Sequence, residues 1–327
     1  MEHWRKLTSV DPLPALQASD NEALQYFVRR DLLSEVAGPV EPLWELPQVL
    51  KILRKQREDG SWKYPGGKKD IRSRRAYDKL QTYKTLMDLV EKYGFTKAHL
   101  AIQDAATFLF TFQTEEGDFR GIYRSQYSPN YSAGIMELLI KAGYHDDPRI
   151  DKGLAWLLSM RQEDGGWAVP MGTGAPEGSD RIRDVFFAEE TIQPDRSRPF
   201  SHWCTGVVLR AFAAHPEYRR APEARHAGEL VKSRFFQRDK YTDRQAAQFW
   251  EKIRYPFWWT DMLSALDSLS RLGFSREDPD IEKGLDWLIG AQEHSGLWKA
   301  RYLSGRDKDI HLWTTLGVCR VLKRFYG

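Results

Sequence analysis

The sequence predicts an all-α protein built from repeated helical hairpins, and three observations carry that expectation. The stretch from Lys283 to Trp298, KGLDWLIGAQEHSGLW, has a close copy from Lys152 to Trp167, KGLAWLLSMRQEDGGW. Weaker copies are KILRKQREDGSW, ending at Trp62, and ATFLFTFQTEEGDF, where Phe119 takes the Trp place; the unit recurs about every fifty residues, a period typical of stacked supersecondary units. Within the units, Leu285, Leu288 and Ile289, like Leu154, Leu157 and Leu158, recur at helical spacing, so each opens with an amphipathic helix.

Each helix runs into a polar turn holding a Gln, a Gly and a final Trp. Gly165, Gly166 and Gly296 let the chain turn sharply. The Gln is expected to bond exposed backbone groups at a neighbouring helix end. The indole is expected to close over apolar surface with its own N–H directed outward. The corners are thus read as staples between neighbouring units.

Taken in order, residues 1–19 read as an irregular lead-in and 20–327 as a single domain, which opens with a helix over about 22–36 that ends at Gly38-Pro39. Outer helices are expected near 45–55, 98–112, 149–161, 222–236 and 280–291, each followed by an inner helix, near 78–93, 131–142, 201–214, 259–272 and 311–325. The helix before Gly38 is a candidate partner for a sixth hairpin. The fourth outer helix has lost its Gly-Trp staple and leads into an aromatic segment, FWEKIRYPFWW. Two long connections, 63–76 and 168–200, each join an outer to an inner helix, which places both at one end and marks the expected mouth of a cavity.

Composition narrows the function. Among 327 residues, 49 Lys and Arg face 46 Asp and Glu, a balance without the positive field that gathers nucleic acid. Two cysteines, Cys204 and Cys319, form no Cys-x-x-Cys pair and fit a reducing compartment. The N-terminal MEHWRKLTSVDPLP lacks the apolar core of a signal peptide, and no apolar run approaches the roughly twenty residues of a bilayer span. The expectation is a soluble cytoplasmic protein.

Gln162 to Trp167 and Gln292 to Trp298, each preceded by Lys-Gly and Trp-Leu, resemble the QW motif of terpenoid cyclases and of their relatives the protein prenyltransferases, over roughly residues 45 to 327. The resemblance implies an α/α toroid of about five to six hairpins, with inner helices around a central cavity. It further implies an isoprenoid-handling enzyme, cyclase-like or prenyltransferase-like, acting on a long apolar substrate, with or without a diphosphate, in an aromatic-lined central cavity. The resemblance is to a divergent member, since the Asp-x-Asp-Asp tetrad of the cyclases and the Asp-x-Cys pair of the prenyltransferases are both missing. His311, on the last inner helix, resembles the zinc-binding His of the prenyltransferases.

Several constellations bear on chemistry. The run from His145 to Asp151, HDDPRID, invites comparison with a magnesium-binding aspartate motif, but GYHDDPRIDKG aligns with GFSREDPDIEKG, and an Asp-Pro repeated before two apolar helices reads as an N-cap. Aligned on Thr205 and Thr314, His202 and His311 fall at equivalent places, as caps or packing groups or as ligands or acid-base groups. Asp261, His202, Cys204 and His311 together have the residue types of a zinc site. No cofactor is required by the sequence, and neither zinc nor magnesium is favoured.

Asp261 is the carboxylate singled out as a catalytic acid. With Ser264, Ala265 and Ser268 it forms a small polar stripe on an otherwise apolar helix, and a carboxyl held among indoles has its charged form disfavoured. The rival reading is an Asp complementing a helix dipole. Trp203, Phe257, Trp258, Trp259 and Trp313, joined by Tyr127 and Tyr131, gather at the starts of inner helices, where ring faces stabilise a passing cation. The basic loop supplies Lys68, Lys69, Arg72, Arg74 and Arg75 as candidate diphosphate contacts, seconded by Arg181, Arg183, Arg196 and Arg198. Two other readings stay open: a carbohydrate-active toroid using Asp184, Glu189 and Glu190 with Asp261, and a non-catalytic scaffold binding a lipid or peptide.

Overall fold

The computed structural model describes residues 3–66, 72–174, 187–241, 245–300 and 307–327, and among them there is no β-strand, only isolated bridges. In chain order the helices are α1 (Leu13–Gln17), α2 (Glu22–Phe27, prolonged by a π turn over Val28–Leu32), α3 (Pro47–Leu53), α4 (Arg74–Tyr93), α5 (Leu100–Phe110) and α6 (Pro129–Leu139). They continue as α7 (Pro148–Ser159), α8 (His202–Ala214), α9 (Pro222–Lys232), α10 (Met262–Arg271), α11 (Pro279–Gly290) and α12 (Ile310–Tyr326).

Even-numbered helices form the inner ring. Each packs on the next, from α4 to α6, α8, α10 and α12, and the ring closes because the α2 segment packs against both α12 and α4. Odd-numbered helices lie outside, α5 on α4, α7 on α6, α9 on α8, α11 on α10 and α1 on α12. The fold is an all-α toroid, and the helix before Gly38 belongs to its inner wall. Closure is by non-covalent pairing across the chain ends: Arg320 of α12 donates to Asp31 at 2.8 Å and Phe27 meets Trp313 edge-on. Residues 3–17, expected to be irregular, carry a 3-10 turn and α1, with Trp4 fully buried against the ring.

The corner residues explain the stacking. Gln56 donates to Gly60 O in its own turn and to Ala101 O at the start of α5, Gln113 to Gly117 O and Arg149 O, and Gln292 to Gly296 O and Val10 O. Gln162 departs from the pattern and holds Asp195 O and Arg198 O of the long connection. The last contact of the series, Gln292 with Val10, lets the N-terminal segment stand in for a further repeat. Gly60 and Gly117 have positive φ, and a Cβ on either would fall 2.2 Å from Asp104 O or 2.6 Å from Lys152 O, so the corner abuts the next outer helix without room for a side chain.

Two expectations need correction. The indole N–H groups do not point outward: Trp62, Trp167 and Trp298 donate at 2.9, 2.6 and 2.6 Å to Ile52 O, Leu157 O and Leu288 O, near the end of their own outer helices. The indole adds a donor to carbonyls at the helix end, of which Ile52 O and Leu157 O also accept from Lys55 N and Met160 N. The inner-helix register also shifts. The backbone N–H of Trp62, Trp167, Trp298 and Phe119 donates to Thr82, Thr205, Thr315 and Ser132 respectively. The counterpart of Thr205 is therefore Thr315 rather than Thr314, and His202 and His311 are one residue out of register, on different helix faces. The Asp-Pro caps are as expected, with Asp147 accepting from Arg149 N and Asp278 from Asp280 N and Ile281 N.

Candidate functional site

After α9 the staple is replaced. Trp250, fully buried, donates to Gln237 O, and the chain then enters the lumen, burying Ile253, Tyr255, Phe257 and Trp259 before α10 begins. Thr260 anchors this segment by donating to Trp203 O of α8 at 2.7 Å. It separates two cavities. Arg254, Trp258 and Trp259 face one at the N-terminal ends of the inner helices, and Tyr255 faces another at their C-terminal ends.

The first cavity holds about 560 Å³ and is ringed by Tyr83, Tyr123, Tyr131, Trp203, Trp258 and Trp259. Tyr83 lies 5.3 Å from Trp258 and Tyr123 5.2 Å from Tyr131, with Tyr131 set edge-on to Trp258 at 6.3 Å. Lys84 and Arg254 also line it. Lys84 sits 5.3 Å over the Trp258 ring, and burial, reinforced by Arg254 and Arg72, holds its ammonium below the usual lysine range. Among the described residues Asp88 is the one carboxylate in the lining, and it pairs with Lys92 at 2.7 Å. Asn130 Oδ1 and Trp203 Nε1 are buried with no hydrogen-bond partner among the described residues.

The expected aromatics divide. Tyr131, Trp203, Trp258 and Trp259 line the chamber. Tyr127 does not: its hydroxyl donates to Glu116 at 2.7 Å and its ring lies near Trp156. Phe257 packs edge-on against Tyr255, and Trp313 is buried against Phe27. Of the basic loop, Arg72 donates to Ile122 O and reaches the Lys84 group, whereas Arg74 is exposed and Arg75 turns to Thr111 and the Phe112 ring. Lys68, Lys69, Arg181, Arg183 and Asp184 lie outside the described residues. Arg196, Glu189 and Glu190 are exposed, Arg198 pairs with Asp195, and none of these four lines the chamber.

Asp261 is 1 % exposed and is the N-cap of α10 in a reciprocal capping box, accepting from Ser264 N at 2.8 Å while its own N–H donates to Ser264 Oγ. Burial pushes its carboxyl up to about 7. It is not among the lining residues. His202 stacks on Trp250 at 4.6 Å with Nδ1 3.4 Å from Asp239, and burial pushes its imidazole below the usual range. His311 Nδ1 accepts from Ala300 N at 3.0 Å. Both histidines therefore hold loops. Cys204 is buried, which pushes its thiol up. No group of three His, Cys, Asp or Glu placed to hold a metal ion exists among the described residues, so His202, Cys204, Asp261 and His311 do not converge.

Sequence reasoning missed Tyr83, Tyr123, Lys84 and Arg254. The first and third were legible in principle: Leu80, Tyr83, Lys84 and Met87 recur at helical spacing along α4, and all four line the chamber. Also missed was the charged end of the ring, where a second cavity of about 1070 Å³ opens. Every inner helix sends a charge there or just beneath it: Asp31, Glu91, Glu137, Arg210, Asp267 and Arg320. Arg210 donates to Glu137 at 2.8 Å, Lys141 to Glu137 at 2.7 Å, Tyr255 to Glu91 at 2.6 Å and Arg271 to Asp267 at 2.9 Å. Single charges inside otherwise apolar helices, as in VVLRAF and ALDSL, were the available signal.

No family model matches the chain, and no curated protein matches it. Among solved structures, the chain is similar to a variant of the type II terpene cyclase MstE from Scytonema in complex with geranylgeranyl dihydroxybenzoate, at 13% identity and TM-score 0.46, covering 91% of this chain and 85% of that one. It is similar also to a glycosyl hydrolase family 88 protein from Bacteroides vulgatus, at 10% identity and TM-score 0.43, covering 93% and 97%. A third is an alpha-amylase from Clostridium perfringens, at 14% identity and TM-score 0.41, covering 85% and 79%. Among the described residues no helix is long and apolar enough to cross a membrane.

Proposed function

We propose that this chain is an isoprenoid-handling enzyme of the terpene cyclase or prenyltransferase kind, which folds an apolar polyene into the aromatic chamber with an anionic head group at Lys84, Arg254 and Arg72. The observation that carries this reading is the convergence of six aromatic rings and a cluster of cations on one cavity of about 560 Å³, a size within the usual range for small-molecule sites. Ring faces stabilise developing positive charge and offer no nucleophile to quench it. The cations suit a diphosphate or carboxylate, with charge-assisted hydrogen bonds as the strong contact.

In this reading Asp261 is a positioning residue. Its cap fixes the start of α10 and with it Trp258 and Trp259, three and two residues upstream. The unpartnered Asn130 Oδ1 and Trp203 Nε1 offer an acceptor and a donor to a polar group on the substrate. A glycosidase needs two carboxylates flanking its substrate, and among the described residues the chamber lining supplies Asp88 alone. The test is titration with geranylgeranyl diphosphate, read by tryptophan fluorescence and followed by mass spectrometry of the products. Saturable quenching that weakens in Tyr131→Ala and Lys84→Gln supports the proposal. A flat titration, or quenching indifferent to both substitutions, overturns it.

A further inference from the structure

The charged cavity at the opposite end of the ring is not used by the proposed function. Four guanidiniums converge in it on two carboxylates. Asp31 accepts from Arg30 at 2.6 Å and from Arg320 at 2.8 Å, and Asp267, just beneath the wall, accepts from Arg271 at 2.9 Å and from Arg324. The neighbouring ion pairs do not relieve this excess, because Glu91 and Glu137 are matched by Lys141 and Arg210. Glu41, also in the lining, stands exposed at the lip. At Arg324, burial, opposed by Asp267 but joined by Arg271 and Arg320, holds the guanidinium below its usual range.

Among the described residues, four guanidiniums thus share two carboxylates on the walls of an open cavity of about 1070 Å³, and Lys323 in the same lining donates to Leu32 O and Ser34 Oγ. The forks of Arg30 and Arg324 are the redundant ones, since Asp31 keeps Arg320 and Asp267 keeps Arg271 without them. Redundant cations that crowd one another lower stability unless something of opposite sign lies between them, and planar guanidiniums match the oxygens of phosphate and carboxylate. The apolar part of the wall, Tyr26, Phe27 and Phe95, adds a surface for whatever carries the oxyanion.

We propose that the cavity bounded by Arg30, Arg271, Arg320 and Arg324 is a second binding site, for a dianionic phosphate or diphosphate group, separate from the aromatic chamber. The ligand bridges the Asp31 and Asp267 clusters, and so ties α2, α10 and α12 together where the chain ends close the ring. Such a site takes either a free phosphorylated small molecule or the head group of an anionic lipid.

Isothermal titration with inorganic pyrophosphate tests it, alongside co-sedimentation with phosphatidylcholine vesicles with and without phosphatidic acid. Each is repeated on Arg30→Gln combined with Arg324→Gln, which leaves Asp31 with Arg320 and Asp267 with Arg271, and on Lys84→Gln in the other chamber. A pyrophosphate-binding component weakened about tenfold or more by the double substitution, but not by Lys84→Gln, is the expected result. Sedimentation that needs phosphatidic acid and is lost in the double variant assigns the same site to a lipid head group. Absence of both, or binding that survives the double substitution in a protein of unchanged circular dichroism, overturns the site. Binding lost only in Lys84→Gln overturns it too, and leaves the aromatic chamber as the anion site.

Discussion

Tyr255 donates its hydroxyl to Glu91 Oε2 at 2.6 Å across the lumen, 164 residues away in sequence, and accepts from Arg320 at 3.0 Å. This bond joins the intruding segment to α4 and α12, and stands between the aromatic chamber and the charged cavity. Burial pushes the Glu91 carboxyl up, but Lys141 and the Tyr255 hydroxyl more than offset it, and the group stays below its ordinary value. Replacing Tyr255 with Phe keeps the ring and removes a hydrogen bond to a charged group, so urea unfolding should show a loss of about 1.5–3 kcal/mol. An unchanged unfolding midpoint would show that the two ends of the ring are held apart by packing alone.

Asp261 provides a pH test with a definite sign. Its folded-state value of about 7 lies above its ordinary 3.8, so the folded protein binds the proton more tightly than the unfolded chain. The stability this contributes is fully present below about 3.8 and lost as pH rises through about 7. Asp261→Asn retains a capping oxygen and removes the titration. Relative to the wild type, the variant should gain stability between about pH 4 and about pH 8, by on the order of a few kcal/mol, in denaturant unfolding at each pH. Parallel profiles would place the carboxylate in contact with water.

Trp258 meets Tyr83, Tyr131 and Lys84 at once. Trp258→Ala should weaken prenyl diphosphate binding by about tenfold or more, as truncating a central aromatic does, while the remote corner bonds keep the unfolding transition cooperative. Equilibrium dialysis with a labelled prenyl diphosphate measures the first effect and calorimetry the second. Undiminished binding would remove the chamber as the site.

The corners predict a contrast between two glycines. Gly60 combines positive φ with an approach that puts a Cβ 2.2 Å from Asp104 O, while Gly273 has φ of +73° and nothing within 4 Å. Gly273→Ala should cost about 1–2 kcal/mol, the ordinary left-handed penalty. Gly60→Ala adds a backbone clash and should cost about 3 kcal/mol or more. Equal melting temperatures for the two variants would mean that the corner does not set the spacing of α3 and α5.

By itself the sequence determined the helical hairpins and their stacking, because those rest on local rules. Apolar spacing along Leu154, Leu157 and Leu158, the Asp147-Pro148 cap and the corner glycines each act within a few residues. It also contained the aromatics Tyr131, Trp203, Trp258 and Trp259 that meet in the chamber. Only the tertiary structure decided which way each side chain faces. A one-residue shift between Thr314 and Thr315 turns a helix by about 100°, enough to separate His202 from His311, and no local signal reports it. The same holds for Tyr83, Lys84 and Arg254, brought to one cavity from distant elements, and for Arg30 and Arg320, which meet at Asp31 only because the ring closes.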